Sequence, residues 1–181
     1  MAEDSKPCTM ITDYITGRVV PNVGAEENRQ AVEKFLVAEK GYRKDDIQVD
    51  VDIALTVAGK PYRSQVDLVV SAGDGKTRFM VFKCAAGSLG SREREIVAAA
   101  RLLDEYQIPR AVVSDGRTAV VLDTLTGKKL GEGLAAIPSR QAAGAELETF
   151  TRPAFPAERR EREKLIFRTY DVENVNVQRN V

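Results

Sequence analysis

Residues 62–86, YRSQVDLVVSAGDGKTRFMVFKCAA, constrain the fold more than any other stretch of the chain. They read as two strands joined by a tight turn, because Gly73-Asp74-Gly75-Lys76 is a strong hairpin signal between two apolar runs. The runs lack the alternation of a strand with one wet face, so both strands are expected to be buried on both faces. Each nevertheless carries one charge where a core strand should have none. Asp67 interrupts Val66-Asp67-Leu68-Val69-Val70, and Lys83 interrupts Phe82-Lys83-Cys84-Ala85. A lone charge in a buried strand is costly unless it is paired or ligated. Two of them on neighbouring strands imply either a site or an ion pair.

The flanking sequence supplies the rest of an α/β domain. Thr12-Asp13-Tyr14-Ile15-Thr16-Gly17 reads as a short ordered turn or strand, and residues 25–40 as a first helix with Val32, Phe35 and Leu36 on one face. Residues 47–55 alternate apolar and polar, which is the pattern of a half-buried strand with Asp50 and Asp52 on its wet side. After the hairpin, Ser91 suits an N-cap and residues 92–105 a second helix, with Ile96, Ala99, Ala100 and Leu103 inward. Strands follow at 111–114 and 118–122 around Asp115-Gly116. Residues 125–133 read as loop, and Ser139 opens a short helix through about residue 148. Residues 157–181 are dense in charge, with RREREK leading into Leu165-Ile166-Phe167 and Tyr170; they read as a charged helix docked by a few apolar side chains or a partly ordered tail, the alternating signs suiting a solvated helix face.

Composition removes many function classes. The chain has no histidine, so Ser-His-Asp or Cys-His nucleophiles and His-ligated zinc are excluded. Two cysteines, Cys8 and Cys84, make neither a disulfide framework nor a CxxC metal motif, which suits a reducing cytoplasm. Cys84 reads as a small core residue. Lys+Arg and Asp+Glu both number 27, so net charge advertises no nucleic-acid or membrane partner. No secretory leader or membrane-spanning stretch is expected.

The order helix, three antiparallel strands, helix, strand and further strand, with the words DYITG, YRSQVDLVV, FMVFKCA, YQIPRAVVSDGR, VLDTLTGKKLGEGL and AIPSR, resembles the N-terminal domain of type I restriction enzyme R subunits, within the PD-(D/E)XK nuclease superfamily. The resemblance covers roughly residues 13–140. It implies a restriction-endonuclease-like αβββαβ core with a mixed, mostly antiparallel central sheet flanked by helices. It also implies an endonuclease-like function, DNA as partner, and a site in which an Asp on the second strand and a Glu on the third hold Mg²⁺, with a Lys two residues after that Glu. Residues i and i+2 of a strand share a face, and hard carboxylate oxygens suit Mg²⁺.

Asp67 matches the family's Asp. On the direct register Lys83 occupies the Glu position and Ala85 the Lys position, so E-x-K has become Lys83-Cys84-Ala85. That reading gives a degenerate site without a metal, in which an Asp67–Lys83 ion pair stands where the ion would be. A shifted register makes Lys83 the catalytic lysine, puts Val81 at the Glu position, and requires a carboxylate from elsewhere. Glu93, one turn before Ile96, is then the best-aimed candidate, with Glu95 aimed less well and Glu26 available from the first helix. Arg92 and Arg94 are candidates for phosphate contact. The residue types favour the degenerate reading. Active metal-dependent cleavage and a non-catalytic interaction or dimerisation module with a protein partner are the alternatives. The expected organisation is a flexible segment 1–12, a nuclease-like domain 13–150 standing alone without motor domains, and a charged extension 151–181.

Overall fold

The computed structural model describes residues 8–172. The expected fraying of residues 1–7, and the end of the charged extension, lie outside the described residues. A two-stranded ribbon, β1 (Met10–Thr12) and β2 (Val19–Pro21), leads into α1 (Glu26–Ala38). A single six-stranded sheet follows in the order β3-β4-β5-β6-β7-β8. Its strands are β3 (Ile47–Val57), β4 (Lys60–Ala72), β5 (Thr77–Cys84), β6 (Arg110–Ser114), β7 (Ala119–Asp123) and β8 (Lys129–Glu132). The β5–β6 pair is parallel and all the others are antiparallel. The parallel step exists because α2 (Glu93–Leu102) forms the crossover between those two strands. The expected mixed, mostly antiparallel α/β architecture is therefore what forms.

The hairpin at the centre follows from local chemistry. Asp74 Oδ1 accepts the backbone N–H of Lys76 and of Thr77, each at 2.9 Å, which closes the β4–β5 turn. From Val66 to Ala72 every residue of β4 is buried, as its unbroken apolar run demands. The core has two layers, one on each face of the sheet. Val32 and Leu36 of α1 pack on Leu68, Val70, Phe82 and Cys84 on one face. Ile96 and Ala99 of α2 pack on Val69, Val81 and Val113 on the other. Cys84 thus faces away from Lys83, as a small core residue.

The structure departs from the sequence reading in two places, the edge strand β8 and the end of α2, whereas the charged helix expected after residue 157 forms and docks. Residues 129–132 form the edge strand β8, although Lys-Leu-Gly-Glu has no strand-like apolar pattern. Its pairing with β7 alone holds it, with a register shift between Val121 and Leu122. Helix α2 ends at Leu102 rather than near residue 105, where Ile108 N–H reaches back to the Ala100 carbonyl. Helix α4 (Ala157–Val172) docks on α2 and β3 by burying Phe167 and pairing Glu163 with Arg101 at 2.9 Å. Helix α3 (Arg140–Thr149) starts as expected, with Ser139 Oγ accepting the Ala142 N–H.

One turn ties α1 to the sheet. Gly116, between β6 and β7, has φ +81°, and a Cβ there would lie 2.7 Å from Ala31 Cβ and 3.0 Å from the Asn28 carbonyl. Gly116→Ala combines left-handed strain with this clash, so it is expected to cost about 2–3 kcal/mol. A lower urea midpoint at unchanged m-value checks this.

Candidate active site

The two strand charges come together beside α2. The β4–β5 ladder runs to Leu68↔Phe82, and beyond it the Cys84 N–H donates to Asp67 Oδ2 at 2.6 Å. The carboxylate thus takes the place of a strand carbonyl. On the other side, the β3–β4 register passes from Val49↔Leu68 to Val51↔Val66 across Asp50, whose φ is 52°. The sheet is therefore distorted around Asp67. Val81 and Lys83 share one face of β5 by strand periodicity. Val81 is fully buried there in the apolar layer beneath α2, so the shifted register's Glu position is filled by core packing.

Lys83 lies between carboxylates. Its Nζ is 3.1 Å from Glu95 Oε1, and Arg92 reaches the other oxygen of Glu95 at 3.6 Å. Burial alone would lower the Lys83 pKa. Asp67, Glu95 and Asp171 more than reverse this and hold it above its ordinary value, so the group is an ammonium at neutral pH. Beside Asp67, whose charge is the largest influence holding the ammonium form, Lys83 therefore has a direct ion-pair contact to Glu95 that the sequence reading did not assign to it.

Glu95 was expected to point less well than Glu93, and the structure reverses that order. Glu95 is 3% exposed and Glu93 half-buried. Glu95, Ala98, Ala99 and Leu102 form one i, i+3, i+4, i+7 stripe. The expected stripe was one residue later. Both are buried except for a partly exposed Leu103, because α4 covers the second flank of α2. The sequence of α2 alone has no mark that distinguishes the face under α4 from the face on the sheet.

The other expected residues fall elsewhere. Glu26 binds Arg29 at 2.7 Å in a largely buried network with Asp13, Gln30, Glu33 and Asp50. Arg92 lines the same open cleft as Asp67 and Lys83, a space of about 760 Å³, whereas Arg94 lines a second groove. Asp171, from α4, also lines the cleft, where it accepts hydrogen bonds from Tyr62 Oη and from Ser64 Oγ, the latter at 2.9 Å. Nothing in the local sequence around Asp171 marks it, because only the docking of α4 brings it there.

Among the described residues no cluster of three or more His, Cys, Asp or Glu could hold a metal ion. The donor set at hand is two hard carboxylates, Asp67 and Glu95, beside an ammonium and an open cleft. That is chemistry a Mg²⁺ ion accepts when backbone carbonyls and water complete its shell.

No helix among the described residues is long and apolar enough to cross a membrane. No curated protein and no solved structure matches the chain significantly. The family model of the type I restriction enzyme R protein N terminus matches residues 24–138, more than half of the chain, from just before α1 to just before α3. The chain therefore belongs to the family of the type I restriction enzyme R protein N terminus, whose fold is that of the PD-(D/E)XK nucleases.

Proposed function

We propose that this domain is a divalent-metal-dependent DNA endonuclease whose second carboxylate, Glu95, comes from α2 instead of β5. The observation that carries this reading is the 3.1 Å contact between buried Glu95 and Lys83, which lines a cleft together with Asp67. The shifted register lacked a carboxylate, and Glu95 supplies one. Asp67 and Glu95 would hold the ion. Bound there, Mg²⁺ lowers the pKa of a coordinated water and offsets the charge of a phosphodiester. Lys83 stays protonated and donates to a phosphate oxygen or orients the attacking water. Arg92, half-buried at the cleft wall and next to Glu95, is placed to bind a second phosphate. Asp52, Asp67 and Asp171 line the cleft against Arg63, Lys83 and Arg92, and Glu95 beside Lys83 tips the balance toward a cation.

The same contact favours a second reading, in which the Lys83 ammonium permanently replaces the ion and the site is inert. Titration calorimetry with Mg²⁺ and Mn²⁺, combined with plasmid nicking, separates the two. The proposal expects metal binding and nicking by the wild type, loss of both in Asp67→Ala, and binding without nicking in Lys83→Met. Wild type that neither binds nor nicks, with metal binding acquired by Lys83→Met, overturns it in favour of the inert site.

A further inference from the structure

Arg94 does not join the cleft. It lines a groove of about 380 Å³ between α2 and the start of α4, together with Arg101, Arg159, Arg162 and Glu163. Four guanidinium groups thus meet one carboxylate in a chain whose formal net charge is zero. Arg101 is committed to structure. It donates to the Thr124 carbonyl at 2.9 Å, pairs with Glu163 at 2.9 Å, and its guanidinium carbon lies 5.4 Å from the Phe155 ring centroid. Glu163 is thereby used up. Arg94, Arg159 and Arg162 are exposed, and no ion pair involving them exists among the described residues.

That arrangement is hard to explain as an ordinary solvated helix face. Glu158 stands four residues before Arg162, the spacing of a stabilising helical pair, yet no such pair forms. The three free guanidinium groups come from two helices that the fold brings together, and they surround an apolar floor that includes Phe155 and Ile166. Three converging, uncompensated arginines repel one another and attract a polyanion. The planar N–H fork of Arg matches two oxygens of a phosphate. Arg92, at the candidate active site, and Arg94, in this groove, are two residues apart.

We propose that the α2–α4 groove is a binding site for the phosphodiester backbone of duplex DNA, distinct from the cleavage site and built in part by a helix that lies outside the family match. The choice of DNA over another polyanion rests on the nuclease reading above. The existence of a polyanion site does not.

The test is fluorescence anisotropy with a labelled 25-base-pair duplex, in EDTA so that neither metal nor cleavage enters, over a range of salt concentrations. Arg94→Ala/Arg159→Ala/Arg162→Ala is expected to weaken binding at least about 10-fold and to reduce the slope of log K against log salt by about 3, one unit per lost phosphate contact. Arg18→Ala/Lys34→Ala/Arg117→Ala removes the same charge from exposed positions elsewhere and is expected to change the slope little. The triple Arg→Lys variant, which keeps the charge, is expected to keep the slope; circular dichroism and melting confirm that each variant folds. Equal losses in the alanine variant and its control overturn the site, as does unchanged binding in the alanine variant. Displacement of the duplex by poly-glutamate at matched charge concentration overturns the assignment to DNA. If Asp67→Ala abolishes nicking and the groove variant still binds normally, the groove fails while the nuclease reading stands.

Discussion

Glu95→Ala is expected to lower metal-dependent plasmid nicking by about 100-fold or more, while Glu93→Ala, two residues earlier, keeps activity close to the wild type. The two glutamates stand in the same helical turn with the same chemistry. They differ in placement, since Glu95 is buried against Lys83 and Glu93 is not. Glu95→Gln keeps the shape and removes the charge, so a true metal ligand loses ion affinity in both Glu95 variants, as calorimetry would read. A purely structural Glu95 would instead lower the denaturation midpoint without changing metal affinity. Some destabilisation accompanies either variant. Removing one partner of a buried pair costs up to about 3–5 kcal/mol, and the cost here falls below that because Asp67 and Asp171 still act on Lys83. Equal activity of Glu93→Ala and Glu95→Ala would leave the second carboxylate of the proposed site without a source.

The second large effect concerns stability, at Arg29 in α1. This side chain is 1% exposed and is the cation at the centre of a buried acidic group. It reaches Glu26 at 2.7 Å, Asp50 at 2.9 Å, Asp13 at 3.2 Å and Glu33 at 3.8 Å. Gln30 bridges Asp13 and Glu26. Asp13 in turn holds the turn after β1, accepting the N–H groups of Ile15 and Thr16 and the Thr16 hydroxyl through Oδ1. Burial pushes its carboxyl up, and the Thr16 and Gln30 hydrogen bonds and Arg29 more than reverse this, so it sits below its usual range. Arg29→Met leaves the Asp13, Glu26 and Asp50 carboxylates and the Glu33 carboxyl clustered around an apolar side chain. The expected cost is about 3–5 kcal/mol, a large part of the stability of a domain this size. Urea denaturation at neutral pH checks it. The loss is expected to shrink as pH falls, because protonation neutralises the carboxylates that Arg29 no longer offsets.

The same network makes stability depend on pH. Burial, then the fields of Asp13 and Glu26, push the Glu33 carboxyl up to about 8, against an ordinary value of 4.5, despite Arg29. A carboxyl whose pKa is raised by folding contributes stability in its protonated form. That contribution is complete below about pH 4.5, declines as pH rises, and is gone above about 8. Glu33→Gln keeps the neutral form at every pH. Its advantage over wild type is therefore expected to grow between pH 4.5 and 8 and then level off, as melting curves across that range would show. A constant difference between the two proteins would remove Glu33 as the titrating group.

Much of this protein follows from local sequence. The apolar runs of β4 and β5, the Asp74 turn between them, the apolar face of α1 and the Ser139 cap all form as local chemistry requires. Asp67 and Lys83 were conspicuous because a buried strand tolerates no idle charge. Edge strand β8 was not legible, since its residues carry no pattern and only pairing with β7 makes them a strand. The same holds for the contents of the cleft. Two glutamates in one turn of α2 are equivalent until α4 covers one flank of that helix and the sheet the other. Asp171 and the arginine groove depend on α4 docking, which hangs on Phe167 and the Arg101–Glu163 pair, contacts between segments more than sixty residues apart. The sequence alone determined the fold class, the central hairpin and the two charges within it, because strand burial and turn closure are set by neighbours along the chain. Which carboxylate meets Lys83 was decided only by tertiary structure, because the rotation of a helix on a sheet is settled by what packs against both of its sides.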